Sequence, residues 1–117
     1  MSTVKILKPF ENEIARATVN SIIHDFNLNR TEYSNEPWNC NTRIRNCKAW
    51  AETHINNEKT IICLYSYHTL VAIYIPSLNI CYDILRYIYG YTATSTQHIW
   101  KFIGDYCNDN TIIYRVF

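Results

Sequence analysis

A chain of 117 residues with 48% hydrophobic content, a formal charge of +1, two glycines and three prolines is sized for one folded domain with a proper core. The near-zero charge excludes a wholly acidic DNA mimic and a strongly basic nonspecific DNA binder, and with the hydrophobic fraction it excludes a disordered chain. No apolar run approaches the roughly 18 residues of a membrane-spanning helix.

Residues 4–7 read as a short edge strand or an anchored arm. Pro9 suits the first turn of a helix, where its missing N–H is harmless. From Glu11 onward Ala15, Val19, Ile22, Ile23 and Phe26 recur at helical spacing, and Glu11 and Glu13 complement the helix dipole. Asn27, Leu28, Asn29 and Arg30 are expected to end this helix. Residues 31–41 are polar, with Pro37 opposing helix and Trp38 as an anchor onto the core. Thr42 is placed to cap a second helix, with Ile44, Cys47, Ala51 and either His54 or Ile55 on its buried face. Asn56 and Asn57 stop it.

The pattern changes at Glu58. Residues 60–66 and 69–75 are short β-branched and aromatic runs joined by Tyr67-His68, a hairpin connection. Pro76-Ser77 turns the chain into a third strand over 79–87, where Ile80, Tyr82 and Ile84 alternate with Cys81, Asp83 and Leu85. Gly90 breaks the run. Thr94 or Ser95 can cap a last helix through His98, Ile99, Phe102, Ile103 and Tyr106, and residues 111–117 close as a strand. The expectation is one α+β domain over 1–117, helical over 9–57 and sheet plus helix over 58–117. Its N-terminal helices pack on one face of an antiparallel meander of three to four strands, with one helix before the last strand.

Cys40, Cys47, Cys63, Cys81 and Cys107 show no tight pairing pattern, and Glu11, Glu13 and Arg16 interrupt any signal-like apolar stretch. A reducing cytosol and free, mostly buried thiols are expected. Cys40, Cys47 and His54 are spaced seven apart. On a helix Cys47 and His54 would stand about 10 Å apart along the axis. Zinc ligands converge to about 2.3 Å of one ion, so a site would also need Cys63. There is no CxxC and no HxxxH, and neither metal nor cofactor is expected.

Nucleophilic catalysis needs a thiol or hydroxyl beside an oriented base. Cys107 and His98 are nine residues apart on the last helix and do not face each other. Ser66 near His68 lacks a glycine-rich nucleophile turn, and His24 and Asp25 point different ways around a helix. No glycine-rich phosphate loop is present. The chain reads as a non-enzyme.

Tyr65, Tyr67, Tyr74, Tyr82, Tyr87, Tyr89 and Tyr91 crowd the sheet region. Exposed tyrosines on a sheet can stack nucleobases or form a protein-recognition surface, and they also simply fill β positions. Only Lys59 and Arg86 are interleaved with them, which favours a protein partner over nucleic acid. Arg43, Arg45 and Lys48 form the one concentrated basic run, a solvated face or a secondary contact. Thr92, Thr94, Ser95 and Thr96 read as a helix start whose side chains satisfy orphan N–H groups.

Ser66, Tyr67, Thr69, Val71 and Ala72, followed by Tyr91, Thr94, His98, Ile99 and Phe102, match a Ser-Tyr-x-Thr-x-Val-Ala strand and a Tyr-Ser-x-Thr-Thr-x-x-His-Ile-x-x-Phe segment. In this pattern the chain resembles a family of small accessory proteins of bacteriophages and mobile elements of low-GC Gram-positive bacteria. Thr92 replaces the usual serine and Ser95 the second threonine. The match runs from Ser66 to Phe102 and has no counterpart in the N-terminal half.

The resemblance implies expression in the cytoplasm of an infected bacterial host. By analogy of setting it implies an inhibitor of a host defence protein, such as an anti-CRISPR protein binding a type II Cas9 effector. The contact surface expected for it is Tyr67, Tyr82, Tyr87, Tyr89 and Tyr91, with Trp38 and the Arg43, Arg45 and Lys48 face as secondary candidates. Two alternatives are a nucleic-acid-binding accessory protein using the same tyrosines plus Lys59, Arg86, Arg43 and Arg45, and a zinc-stabilised module using Cys40, Cys47, His54 and Cys63.

Overall fold

The computed structural model describes residues 3–28, 41–44, 49–67 and 69–117. After strand β1 (Thr3–Ile6), Pro9 opens helix α1 (Pro9–Asp25). Lys8 N–H donates to Glu11 Oε1 (3.3 Å), and the Lys5 ammonium lies 3.1 Å from Glu11 Oε2. The helix ends in a Schellman motif: Asn27 is left-handed (φ 52°), its N–H reaches His24 O, and Leu28 N–H reaches Ile23 O. The asparagine predicted to stop the helix does so.

The expected second helix is two strands instead, β2 (Asn41–Ile44) and β3 (Ala49–Asn56). Apolar residues at helical spacing suggested otherwise. In β3, however, Ile55 points to solvent at 72% exposure while Glu52 and His54 are half-buried, so the polar residues face inward and invert the period-two signal. Asn57 and Glu58, both left-handed (φ 48° and 68°), make the tight turn into β4 (Lys59–Ser66). They connect a hairpin and do not stop a helix.

Strand β5 (Thr69–Ile75) pairs antiparallel with β4, the hairpin expected, with a bulge in the pairing at Leu64 and Tyr65; His68 lies outside the described residues. The third predicted strand is shorter than 79–87. It forms β6 (Ile80–Asp83) and then a helical turn, α2 (Leu85–Ile88). Helix α3 (Ala93–Tyr106) and strand β7 (Ile112–Arg115) complete the chain.

All described strands join one sheet in the order β1-β7-β6-β5-β4-β3-β2. From β4 to β6 it is the antiparallel meander expected, β3 and β2 extend it antiparallel, and β7 pairs parallel with both β6 and β1. The fold is α+β with a larger, mixed sheet. Its helices do not share a face. Leu64, Tyr74, Cys81 and Ile113 pack with Ile99, Phe102 and Ile103 of α3. Cys63, Tyr65, Ile73 and Tyr82 pack with Ala15 and Val19 of α1. A strand buried on both sides reads as a continuous apolar run, and Leu70 to Tyr74 is buried throughout.

Asp83 closes β6 as a buried carboxylate. Its Oδ1 accepts a hydrogen bond from Leu85 N–H (3.3 Å), and its Oδ2 stands 3.8 Å from both Arg86 Nη1 and Arg115 Nε. Burial raises its pKa above the ordinary 3.8, against the lowering by that N–H and the two arginines. Between 3.8 and the raised value the native state holds a proton that the unfolded chain has released. The group's stabilisation is therefore full below 3.8 and is lost as pH rises through the folded value. Asp83→Asn removes that loss, so its stability relative to the parent is expected to rise between about pH 3 and about pH 7 in urea melts. A difference that stays flat with pH would contradict this.

Candidate functional site

Where β4 hands over to β5, the end of the sheet meets the start of α3. Thr92 is the N-cap of α3: its Oγ1 accepts from Ser95 N–H (3.1 Å) and its carbonyl from Thr96 N–H (3.1 Å). Gly90 at φ 111° turns the chain out of α2, its N–H bonding Leu85 O (2.9 Å), a conformation open to glycine. These two local devices bring Ser95 against the last residue of β4.

Ser66 Oγ lies 2.9 Å from Ser95 Oγ and 2.8 Å from His98 Nδ1. All three residues are buried. Beside them opens a pocket of about 310 Å³. The hydroxyl-bearing Ser66, Thr69, Thr92, Thr94 and Ser95 line it, with Val71 and Leu85 as apolar wall and Tyr67 and Tyr89 as aromatic neighbours. Among the described residues no charged side chain lines it. The Tyr67 ring rests 5.7 Å from that of His98. Tyr67 is left-handed (φ 50°), a position that disfavours a bulky side chain by about 1–2 kcal/mol.

Ser66 and His98 stand at nucleophile-to-base distance, a pairing that the sequence reading missed by matching Ser66 with His68 and His98 with Cys107. Ser66 is only 2% exposed, and Ser95 engages Ser66. The cluster works as a hydrogen-bonded latch between β4 and α3. Ser66→Ala removes both bonds together and is expected to cost about 1–3 kcal/mol in urea unfolding, since it strips buried polar atoms of a partner. A loss below about 0.5 kcal/mol would contradict the latch.

The predicted contact residues separate into groups. Tyr67, Tyr89 and Tyr91 are exposed, at 50%, 66% and 61%. The first two line the pocket, and Tyr91 adjoins its Thr92, with the Arg86 guanidinium 5.1 Å from its ring. Tyr82 is a correction: it is buried against α1 and stacked on Tyr114 at 5.6 Å. Tyr87 is partly buried, its hydroxyl bonded to Asn20 (3.0 Å from Nδ2) and its ring beneath Arg16. Arg43 lies on the edge strand β2, not on a helix face. Trp38, Arg45 and Lys48 lie outside the described residues, as do Cys40 and Cys47.

Of the basic residues drawn for nucleic acid, Lys59 lies far from this site. Lys59 begins β4 and Ser66 ends it, about 23 Å apart at strand rise. Arg86 is shared among Asp83, Tyr91 and Phe117. For the zinc alternative, His54 stands on a strand, not a helix, with its Nε2 3.1 Å from Glu52 Oε1. Cys63 pairs across from Glu52 and so shares that face. Among the described residues no group of three or more His, Cys, Asp or Glu converges on a metal position.

The segments that carry the family resemblance meet here: Ser66, Tyr67, Thr69 and Val71 from one, Thr94 and His98 from the other, with Thr92 and Ser95 at its substituted positions. That convergence was the signal available in the sequence. No family model matches the chain, no curated protein is significantly similar to it, and no solved structure matches it.

Proposed function

We propose that the protein is a non-enzymatic binding inhibitor of a bacterial defence complex, encoded by a phage and acting in the cytoplasm of the infected host. It docks through the exposed Tyr67 and Tyr89 of the hydroxyl-lined pocket and the exposed Tyr91 beside Arg86. The observation that carries this reading is the exposure of Tyr67 and Tyr89 on the pocket where the two motif segments converge, with exposed Tyr91 next in sequence to its Thr92. Tyrosine combines a large rigid contact surface with a polar tip and dominates interface hot spots together with arginine, which Arg86 supplies beside Tyr91. The absence of a charged side chain among the pocket's described lining residues and the pairing of Arg86 with Asp83 favour a protein surface over a phosphate backbone. The burial of Ser66 favours occupancy over chemistry.

By the phage resemblance, the first partner to test is a type II Cas9 ribonucleoprotein. The purified protein is mixed with Cas9 and guide RNA, target-DNA cleavage is measured, and co-elution on a sizing column is followed. Inhibition with co-elution supports the reading. Full cleavage without a complex removes Cas9 as the partner.

A further inference from the structure

The parallel strands β6 and β7 end in register, with Asp83 opposite Arg115, and α2 adds Arg86 beside them. Asp83 Oδ2 stands 3.8 Å from Arg86 Nη1 and 3.8 Å from Arg115 Nε, beyond the reach of a hydrogen bond. The Arg115 Nε–H is buried without a hydrogen-bond partner among the described residues. One buried carboxylate thus faces two guanidiniums and hydrogen-bonds neither.

The Arg86 guanidinium lies against two rings, 5.1 Å from that of Tyr91 and 5.8 Å from that of Phe117. Both rings belong to exposed residues, so the guanidinium sits at an open aromatic surface. Phe117 is in turn pinned to α1. Asn12 exchanges two hydrogen bonds with its backbone (2.9 and 3.0 Å), and Arg16 Nε donates to its carbonyl. Arg16 also stands 5.0 Å from the Tyr87 ring. These contacts join three guanidiniums to one carboxylate, in a chain whose formal charge is only +1.

We propose that Arg86, supported by Arg115 and Arg16, is a carboxylate-binding site that takes an acidic segment of the partner protein, with an Asp or Glu side chain seated on the Arg86 fork. A guanidinium presents paired N–H groups that match the two oxygens of a carboxylate. The ring contacts hold the fork in place before binding, which lowers the cost of ordering it. The excess of positive charge draws acidic groups in and speeds their encounter. A phosphate backbone fits less well, because Asp83 stands among the arginines and exposed rings, not further cations, flank Arg86. The site adjoins the docking face at Tyr91; that the acidic segment belongs to a defence protein rests on the function proposed above, whereas the affinity for carboxylates does not.

The test uses the full chain and a defined probe, N-acetyl-hexaglutamate amide, titrated at about 20 mM salt while backbone and arginine side-chain NMR signals are followed. Saturable shifts confined to Arg86, Arg115, Arg16 and their neighbours are expected. The dissociation constant is expected below about 1 mM, weakening about tenfold at about 0.2 M salt. The matching glutamine peptide should leave the spectrum unchanged. Arg86→Gln is expected to weaken binding at least about tenfold, and Arg86→Lys by less, since lysine keeps the charge and loses the fork. Shifts spread evenly over the surface lysines, or no saturation below about 10 mM, overturn the proposal. Tighter binding of an oligothymidylate of equal length at the same arginines also overturns it, by identifying a phosphate site. The titration of the parent chain decides these outcomes even if Arg86→Gln fails to fold. Peptide binding at the arginines, with partner binding unchanged by alanine at the three tyrosines, keeps this site and removes the docking face. Loss of inhibition in that tyrosine variant, with no peptide binding by the parent chain, does the reverse.

Discussion

Replacing Tyr67, Tyr89 and Tyr91 together by alanine is expected to weaken partner binding and inhibition at least about 100-fold while the protein stays folded. All three side chains are half or more exposed, so removing them creates no core cavity. The folded state loses the ring contact of Tyr67 with His98 and the Arg86–Tyr91 cation–π pair, together about 1–2 kcal/mol. That is small against the roughly 5–15 kcal/mol of a typical domain. Tyr67→Gly alone separates binding from stability. It relieves the left-handed strain at the hairpin, so it is expected to lose affinity while holding or gaining stability. Affinity is read by titration and stability by urea melts on the same samples. Unchanged binding by the folded triple variant would remove this face as the contact surface.

Phe102→Ala is expected to cost about 3–5 kcal/mol, because Phe102 is fully buried at the centre of the α3 face and packs on Tyr106 at 5.1 Å. The same experiment tests the layering of the fold. Val19 of α1 is equally buried but on the opposite face of the sheet. A helix packs about 10 Å from a sheet, so these two side chains do not touch through the intervening strands. The cost of Phe102→Ala and Val19→Ala combined should then equal the sum of the single costs within about 0.5 kcal/mol. Coupling above about 1 kcal/mol would place them in one shared core, as the one-face arrangement requires. Should the double variant fall below the stability needed to measure it, Ile103→Val with Val19→Ala poses the same question at lower cost.

The sequence by itself determined the elements whose signals are local. Pro9 and Asn27 bracket α1, Gly90 ends the run before α3, and the β-branched runs on either side of Tyr67 make a hairpin, although the cap of α3 is Thr92 and not the expected Thr94 or Ser95. Each signal lies within a few residues and acts through capping, φ preference or period-two alternation, which need no distant partner. It marked Tyr67, Tyr89 and Tyr91 only together with Tyr82 and Tyr87, which the fold buries in full or in part.

Only the tertiary structure decided the rest. Residues of the expected second helix became β2 and β3 because Glu52 and His54 turn inward toward Cys63 and Ile61, an arrangement set by the partner strand. Tyr82 left the surface because α1, more than fifty residues earlier in the chain, covers the face that its alternation presents. β1 and β7 joined in parallel, and Ser66 met His98 thirty-two residues away, through crossings that no local pattern encodes. A four-residue strand or a lone serine carries too little signal to choose a distant partner. Packing makes that choice when the sheet buries both of its faces at once.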